Sequence, residues 1–310
     1  MEKIAFVFPG QASQYVGMGK ELFDNYEESR RVFEKADQTL GFPISRLCFE
    51  GPEEGLQLTP NTQPAILTTS IAVWIMLKHA GVKPDYVAGH SLGEYSALIA
   101  AESLSFEDAV SLVRKRGQYM QEAVPVGEGS MAAIIALERA KVENICQQVG
   151  DGVQPANYNS PVQVVISGTR QGVDKAMELA LQGGAKRATL LPVSAPFHSR
   201  LMLPAQEKLK VDIERTMFHS LLIPLVTNVD ARVIHTPQEA MDSLIRQVTS
   251  PVKWEDSIRH IIGHGVSTFV EVGPSKVLSN LIKRIDKRVK TFNIEDIETL
   301  NKLLDHYKSL

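Results

Sequence analysis

The stretch DYVAGHSLGEYSALIAA, residues 85–101, compresses a strand, a sharp turn and a helix into one short segment. Tyr86, Val87 and Ala88 lead into the turn, and the run from Leu92 to Ala101 continues as helix. So tight a turn leaves little room for side chains, which accounts for Gly89 and Gly93 on either side of Ser91. It also lifts the serine hydroxyl clear of the sheet. The Leu92 N–H is left at a helix N-terminus, pointing where an oxyanion would form.

The alternation of strand and helix runs through the rest of the chain. Residues 4–8 are a short apolar run closed by Pro9-Gly10, which reads as a buried strand. Residues 18–40 have helical spacing. Residues 61–81 form a second helix, apolar nearly all round and stopped at Gly81, which places it deep in a core. Ser105 with Asp108 resembles a capping box opening a helix over 106–122. From Gly129 the rhythm changes. A strand at 130–137, a helix at 138–150, strands at 153–159 and 162–168, a helix at 170–184 and a strand at 186–193 follow in the order βαββαβ, a ferredoxin-like unit. After it come a helix from about Pro204, a strand at 223–227, helices near 237–248 and 257–263, a strand at 268–272 and a helix over 276–285. The expected fold class is α/β. Residues 1–127 and 194–310 build a mostly parallel sheet covered on both faces, and 128–193 form an inserted ferredoxin-like small domain.

Bulk properties narrow the function classes. A chain of 310 residues, 44% of them hydrophobic, can bury a large core. A formal net charge of -3 argues against a nucleic-acid partner. Cys48 and Cys146 are far apart and lack metal-ligand partners, so neither a disulfide framework nor a zinc site is expected. The apolar run at 4–8 is too short for a signal peptide. The longest apolar stretch, 65–77, contains Thr68, Thr69 and Ser70 and is too short to span a bilayer. A cytoplasmic protein with no membrane partner is expected.

Gly-x-Ser-x-Gly is weak evidence by itself, because a small-residue turn with Ser91 as a helix cap has the same pattern. A strand before and a helix after are the context that a nucleophile elbow requires. Serine needs a neighbouring base. His79, His219, His235, His260, His264 and His306 lie in helical or polar surroundings, and His90, adjacent to Ser91, should point away from it. His198, in VSAPFHSRLM, follows the inserted unit directly, where a returning loop can wall a cleft. It is either the base or a loop histidine packed beside Phe197. No aspartate is obviously placed to orient it, though a backbone carbonyl could do so. On the 106–122 helix, Ala109, Val113 and Met120 form one stripe, and Arg116 falls on it. A guanidinium on an apolar face is either half of a structural ion pair or a waiting site for an anion, its planar fork being suited to a carboxylate.

GHSLGEYS, FPGQASQ at 8–14, VRKRGQYMQEAVP at 113–125 and PFHS at 196–199 together resemble the malonyl-CoA:acyl carrier protein transacylase family, in the family's order and over nearly the whole chain. The resemblance implies a hydrolase-like large domain with a ferredoxin-like small one. It implies Ser91 as nucleophile, His198 as base, and the backbone N–H groups of Gln11 and Leu92 as oxyanion hole. It further implies Arg116 as the site for the malonyl carboxylate and Gln247 as the residue orienting His198 through its carbonyl. Asn157 and Asn159 match a family stretch near the cleft and take a supporting role. Leu92 and Phe197 look like the malonyl-selective pattern, their bulk crowding an α-methyl branch. Ala12 stands where the family usually has glycine; alanine disfavours positive φ, so the Gln11 loop is expected to sit slightly differently.

The implied partners are malonyl-CoA and acyl carrier protein, with no metal or redox cofactor, in fatty acid synthesis. The alternatives are a free-standing acyltransferase of a polyketide synthase, a serine hydrolase using water as acceptor, and a non-catalytic docking module. Carrier proteins are generally acidic, so basic clusters are docking candidates. LIKRIDKRVK, residues 281–290, offers Arg284 and Arg288; a solvated helix face explains the same charges.

Overall fold

The computed structural model describes residues 2–193 and 195–308. Among the described residues ten strands form two sheets. The larger contains β1 (Lys3–Phe8), β2 (Tyr86–Gly89), β7 (Leu225–Val226), β8 (Val233–Ile234), β9 (Val266–Val272) and β10 (Lys290–Ile294). Its order is β10-β9-β1-β2-β7-β8, parallel throughout except that the short β8 runs antiparallel to β7. The smaller contains β3 (Gly129–Ile135), β4 (Val153–Ser160), β5 (Gln163–Thr169) and β6 (Arg187–Leu190), fully antiparallel in the order β4-β5-β3-β6. The α/β class with a mostly parallel sheet is therefore present.

Burial explains why these segments are strands. β1 is buried on both faces: Ile4, Phe6 and Phe8 join the main core, while Ala5 and Val7 face a second core on the opposite side of the sheet. The main core is organised by the helix Thr59–His79, whose apolar surface runs nearly all round, as a central helix requires. In the small sheet the period-2 rule divides β3 cleanly. Ala132 and Ile134 pack under the helices Arg139–Val149 and Arg170–Gln182, whereas Met131 and Ala133 face the main core.

Several boundaries differ from the sequence expectation. The helical run at 18–40 is two helices, Lys20–Asn25 and Glu27–Leu40, separated by an extended Tyr26. The helix after the serine begins at Gly93, with Leu92 as its cap residue. Ser105 accepts the Asp108 N–H at 3.1 Å, but its hydroxyl bonds back to the Asp108 carboxylate, so the reciprocal half of a capping box is replaced. The full box forms at Thr236, opening the helix Pro237–Gln247. The helices Ile44–Glu50, Glu53–Gln57 and Ile297–Lys308 and the strands β8 and β10 were not anticipated. The basic run 281–290 is not one helix: Val277–Ile285 ends before Asp286, and Lys290 already starts β10.

The topology positions the site. β1 and β2 are parallel neighbours, with Phe8 opposite Gly89, so the loops after both leave the same edge of the sheet side by side. The carboxyl edge of a parallel sheet is where α/β proteins place their ligands.

Candidate active site

The turn after β2 holds Ser91 at φ 51°, a strained conformation for a residue with a Cβ and one characteristic of an elbow. Its flanking glycines are steric necessities. A Cβ on Gly93 would lie 2.0 Å from the Phe8 carbonyl oxygen, and one on Gly89 would lie 1.9 Å from the Gly93 backbone. β1, β2 and the following helix are thus nearly in backbone contact, and the serine is pushed outward. The Ser91 N–H donates to Asn228 Oδ1 at 2.7 Å.

His198, which lies beyond the small sheet in the chain, comes back to this turn. Its Nε2 is 2.8 Å from Ser91 Oγ, and its Nδ1 is 2.9 Å from the Gln247 carbonyl oxygen. That carbonyl can only accept, so it fixes the tautomer: Nδ1 carries the proton and Nε2 is free to take one from Ser91. His198 is 3% exposed. Burial first, and the Arg116 cation second, push its pKa down from 6.5 to about 3, so the ring is neutral and basic in form at physiological pH.

Arg116 is 1% exposed. Its helix, Phe106–Glu122, approaches the Thr59–His79 helix closely because the next residue is Gly117, where a Cβ would meet the Thr59 carbonyl oxygen at 2.7 Å. The guanidinium donates through Nη1 to Gln63 Oε1 at 2.8 Å, and through Nη2 to Gln247 Oε1 at 3.0 Å and Ser91 Oγ at 3.1 Å. These acceptors are neutral. Among the described residues no carboxylate lies within ion-pair distance of Arg116, and its buried Nε has no hydrogen-bond partner. Among the described residues Arg116 makes no direct ion pair; the Glu94 carboxylate reaches it only through the Gln247 amide.

Ser91, His198, Arg116 and Gln63 line a cavity of about 120 Å³, together with Gln11, Ala12, His90, Met131, Asn157 and Phe197. Among the described residues neither the Gln11 N–H nor the Leu92 N–H has a hydrogen-bond partner. Ala12 adopts φ 81° and donates its N–H to Gln14 Oε1 at 2.8 Å, so the loop keeps a glycine-like conformation despite the Cβ. Leu92 is 1% exposed and its side chain belongs to the main core; of the two bulky neighbours only Phe197 lines the cavity. The His90 Nε2 lies 2.9 Å from Asn159 Oδ1, and its ring packs against Trp254 in an edge-type contact. Asn157 bridges to Val252 at the junction with the large sheet. Arg284 and Arg288 do not line the cavity; Arg288 is paired with Asp286 at 2.6 Å.

Sequence reasoning passed over Gln63, Asn228 and Glu94. Gln63 and Asn228 are polar residues with no pattern to mark them. Glu94 carried the signal that singled out Arg116, a charge inside an apolar run, and it is 1% exposed.

A neutral imidazole on a strained serine, two backbone N–H groups without partners among the described residues and a buried cation whose hydrogen-bond acceptors are all neutral can perform acyl transfer on an anionic acyl group. The family described as acyl transferase domain matches residues 5–302. The chain is 52% identical over 303 residues to the malonyl CoA-acyl carrier protein transacylase of Bacillus subtilis (strain 168), covering 97% of this chain and 96% of that protein. The crystal structure of a malonyl CoA-acyl carrier protein transacylase from Clostridium perfringens is similar with a TM-score of 0.96 at 43% identity, covering 99% of this chain and 98% of the other. A malonyl-transacylase solved in complex with a type II PKS acyl-carrier protein reaches a TM-score of 0.96 at 40% identity, covering 98% of this chain and 99% of the other. The chain is an acyltransferase and belongs to the malonyl CoA-acyl carrier protein transacylases of the acyl transferase family.

Proposed function

We propose that the enzyme moves malonyl from malonyl-CoA to the phosphopantetheine thiol of an acyl carrier protein through a malonyl ester on Ser91. The observation that carries this reading is the buried Arg116 cation, which touches Ser91 Oγ at 3.1 Å and has only neutral partners. A carboxylate two bonds from the reacting carbonyl, as in malonyl, supplies the missing anion at that distance.

In the first half-reaction His198 Nε2 takes the Ser91 hydroxyl proton as Oγ attacks the thioester carbon. The oxyanion rests on the Gln11 and Leu92 N–H groups. The C–S bond breaks, and CoA leaves as a thiol with the proton from His198. In the second half the carrier thiol gives its proton to His198 and its sulfur attacks the malonyl ester. The C–O bond breaks and Ser91 recovers its proton. Gln247 keeps the imidazole oriented through Nδ1. Side chains and backbone balance both halves, so no metal or redox cofactor enters. Positioned proton transfer of this kind contributes about 10²–10⁴-fold.

Residues 1–127 and 194–310 act in this reading as a hydrolase-like domain and 128–193 as a ferredoxin-like one; the antiparallel order β4-β5-β3-β6 supports the second description. Asn157 and Asn159 support the cleft wall, Phe197 crowds branched acyl groups, and Arg284 and Arg288 belong to a carrier-docking face. Among the described residues no helix is long and apolar enough to cross a membrane. We place the enzyme in the cytoplasm, serving fatty acid synthesis. The relative solved with a type II PKS carrier favours a second reading, in which the carrier belongs to polyketide synthesis; kcat/KM on the two carrier types distinguishes them.

Intact mass spectrometry tests the proposal. Mixing with malonyl-CoA should add one malonyl group, which persists until carrier is supplied and then appears on the carrier. The Ser91→Ala variant should take no malonyl. Release to water at the same rate with or without carrier would instead make the enzyme a hydrolase.

A further inference from the structure

Glu94 lies in the first turn of the helix Gly93–Ala100, three residues after Ser91, and its carboxylate touches none of the reacting atoms. Its three partners all donate. Oε2 accepts from the Asn228 backbone N–H at 3.0 Å and from Gln247 Nε2 at 2.9 Å, and Oε1 accepts from the Ser243 hydroxyl at 2.8 Å. Two of these partners reach the reacting pair from opposite sides. Asn228 grips the elbow, accepting the Ser91 N–H at 2.7 Å and donating Nδ2 to the Gly89 carbonyl at 2.6 Å. Gln247 grips the base, its carbonyl oxygen lying 2.9 Å from His198 Nδ1.

The Gln247 side chain is held at both ends. Its oxygen accepts from Arg116 and its NH2 donates to Glu94 and to the Ser91 carbonyl at 3.0 Å. Guanidinium donors on the oxygen and a carboxyl oxygen accepting from the nitrogen leave the amide only one of its two flip states. Burying a carboxylate is costly unless donors satisfy it, and here three do.

We propose that Glu94 is a positioning residue: its carboxylate ties Asn228 to Gln247 and so sets the separation of Ser91 Oγ from His198 Nε2. The proposal rests on the acyl-transfer reading and extends it, because a misplacement of 1 Å is enough to slow such a step about 10²-fold.

Two conservative variants separate position from charge. Glu94→Gln loses the charge but keeps a carbonyl oxygen for Asn228 and Gln247, and its NH2 can donate to the Ser243 hydroxyl. Glu94→Asp keeps the charge and withdraws the acceptors by about 1.5 Å, one C–C bond. The measurement is the single-turnover rate of malonyl-enzyme formation from malonyl-CoA, quenched and read by intact mass. Glu94→Gln should keep at least about one-third of the wild-type rate at saturating malonyl-CoA. Glu94→Asp should be slower by at least about tenfold, with the half-saturating concentration within about twofold of wild type. Equal rates for the two variants, the reverse order, or an effect confined to half-saturation would overturn the proposal. A wild-type enzyme that forms no adduct on Ser91 would sink the acyl-transfer reading and this proposal together. An adducted wild type with the variants out of order sinks the proposal alone.

Discussion

Arg116 and His198 form an unusual pair, a buried cation beside a buried neutral imidazole. The charged form of each is expensive to bury, and in the acyl-transfer reading proposed above a reactant completes each. Removing the guanidinium in Arg116→Ala should cost malonyl transfer about 10- to 100-fold more than acetyl transfer, the worth of charge-assisted hydrogen bonds to one carboxylate. Equal losses in kcat/KM on the two thioesters would mean that the arginine only supports the fold. The histidine makes a prediction about pH. In the unfolded chain it takes up a proton near pH 6.5; in the folded protein it does so only near 3. Between those values the unfolded state binds more protons, so the contribution to stability is whole above 6.5 and is lost as pH falls toward 3. Thermal unfolding of the wild type should therefore decline more steeply over that range than that of His198→Asn. Superimposable slopes would show that the ring is not held neutral. Arg116 was legible in the sequence because a charge broke an apolar stripe, whereas Gln63, its partner at 2.8 Å, was an ordinary polar residue.

At the level of elements, the strand–turn–helix of residues 85–101 is a local structure dictated by close packing. Gly93 sits where a side chain would overlap the Phe8 carbonyl, and that carbonyl belongs to β1, which pairs with β2. Gly93→Ala should destabilise the protein by about 3 kcal/mol or more, beyond the usual overpacking range because backbone rather than side chain must move. A melting temperature within a degree or two of wild type would show that the strand and helix are not in contact. The helix Phe106–Glu122 was legible to the residue because its periodicity and its Ser105 cap agree. β10 was not: Lys290–Ile294 is a half-buried edge strand without clear alternation, and its partner β9 supplies the register. The helical spacing at 18–40 concealed a break at Tyr26, whose extended backbone no local residue demands.

Across the whole molecule, two sheets meet beside the cavity. The edge strand β4 hydrogen-bonds the segment at Val252, with the Tyr158 N–H on the Val252 carbonyl at 2.9 Å and the Val252 N–H on the Ala156 carbonyl at 2.8 Å. Arg139, stacked on Tyr158, reaches Asp256 at 2.8 Å across the same seam. The outer surface carries the carrier question. Arg288 is exposed but tied to Asp286, while Arg284, among the described residues, has no ion-pair partner. Replacing both with glutamate should raise KM for the carrier several-fold, and more at low salt, while KM for malonyl-CoA stays unchanged. No change in carrier KM would place docking elsewhere. The sequence by itself determined the α/β class, the elbow at Ser91 and the anomaly at Arg116, because periodicity, glycine placement and a misplaced charge are local properties. His198 and Gln247 were named from chain position and family resemblance; only the tertiary structure showed that they meet Ser91, that Gln63 and Asn228 join them, and which carboxylate anchors both sides. Residues 91, 198 and 247 meet through packing of distant segments, and sequence spacing carries no record of which long-range contacts close.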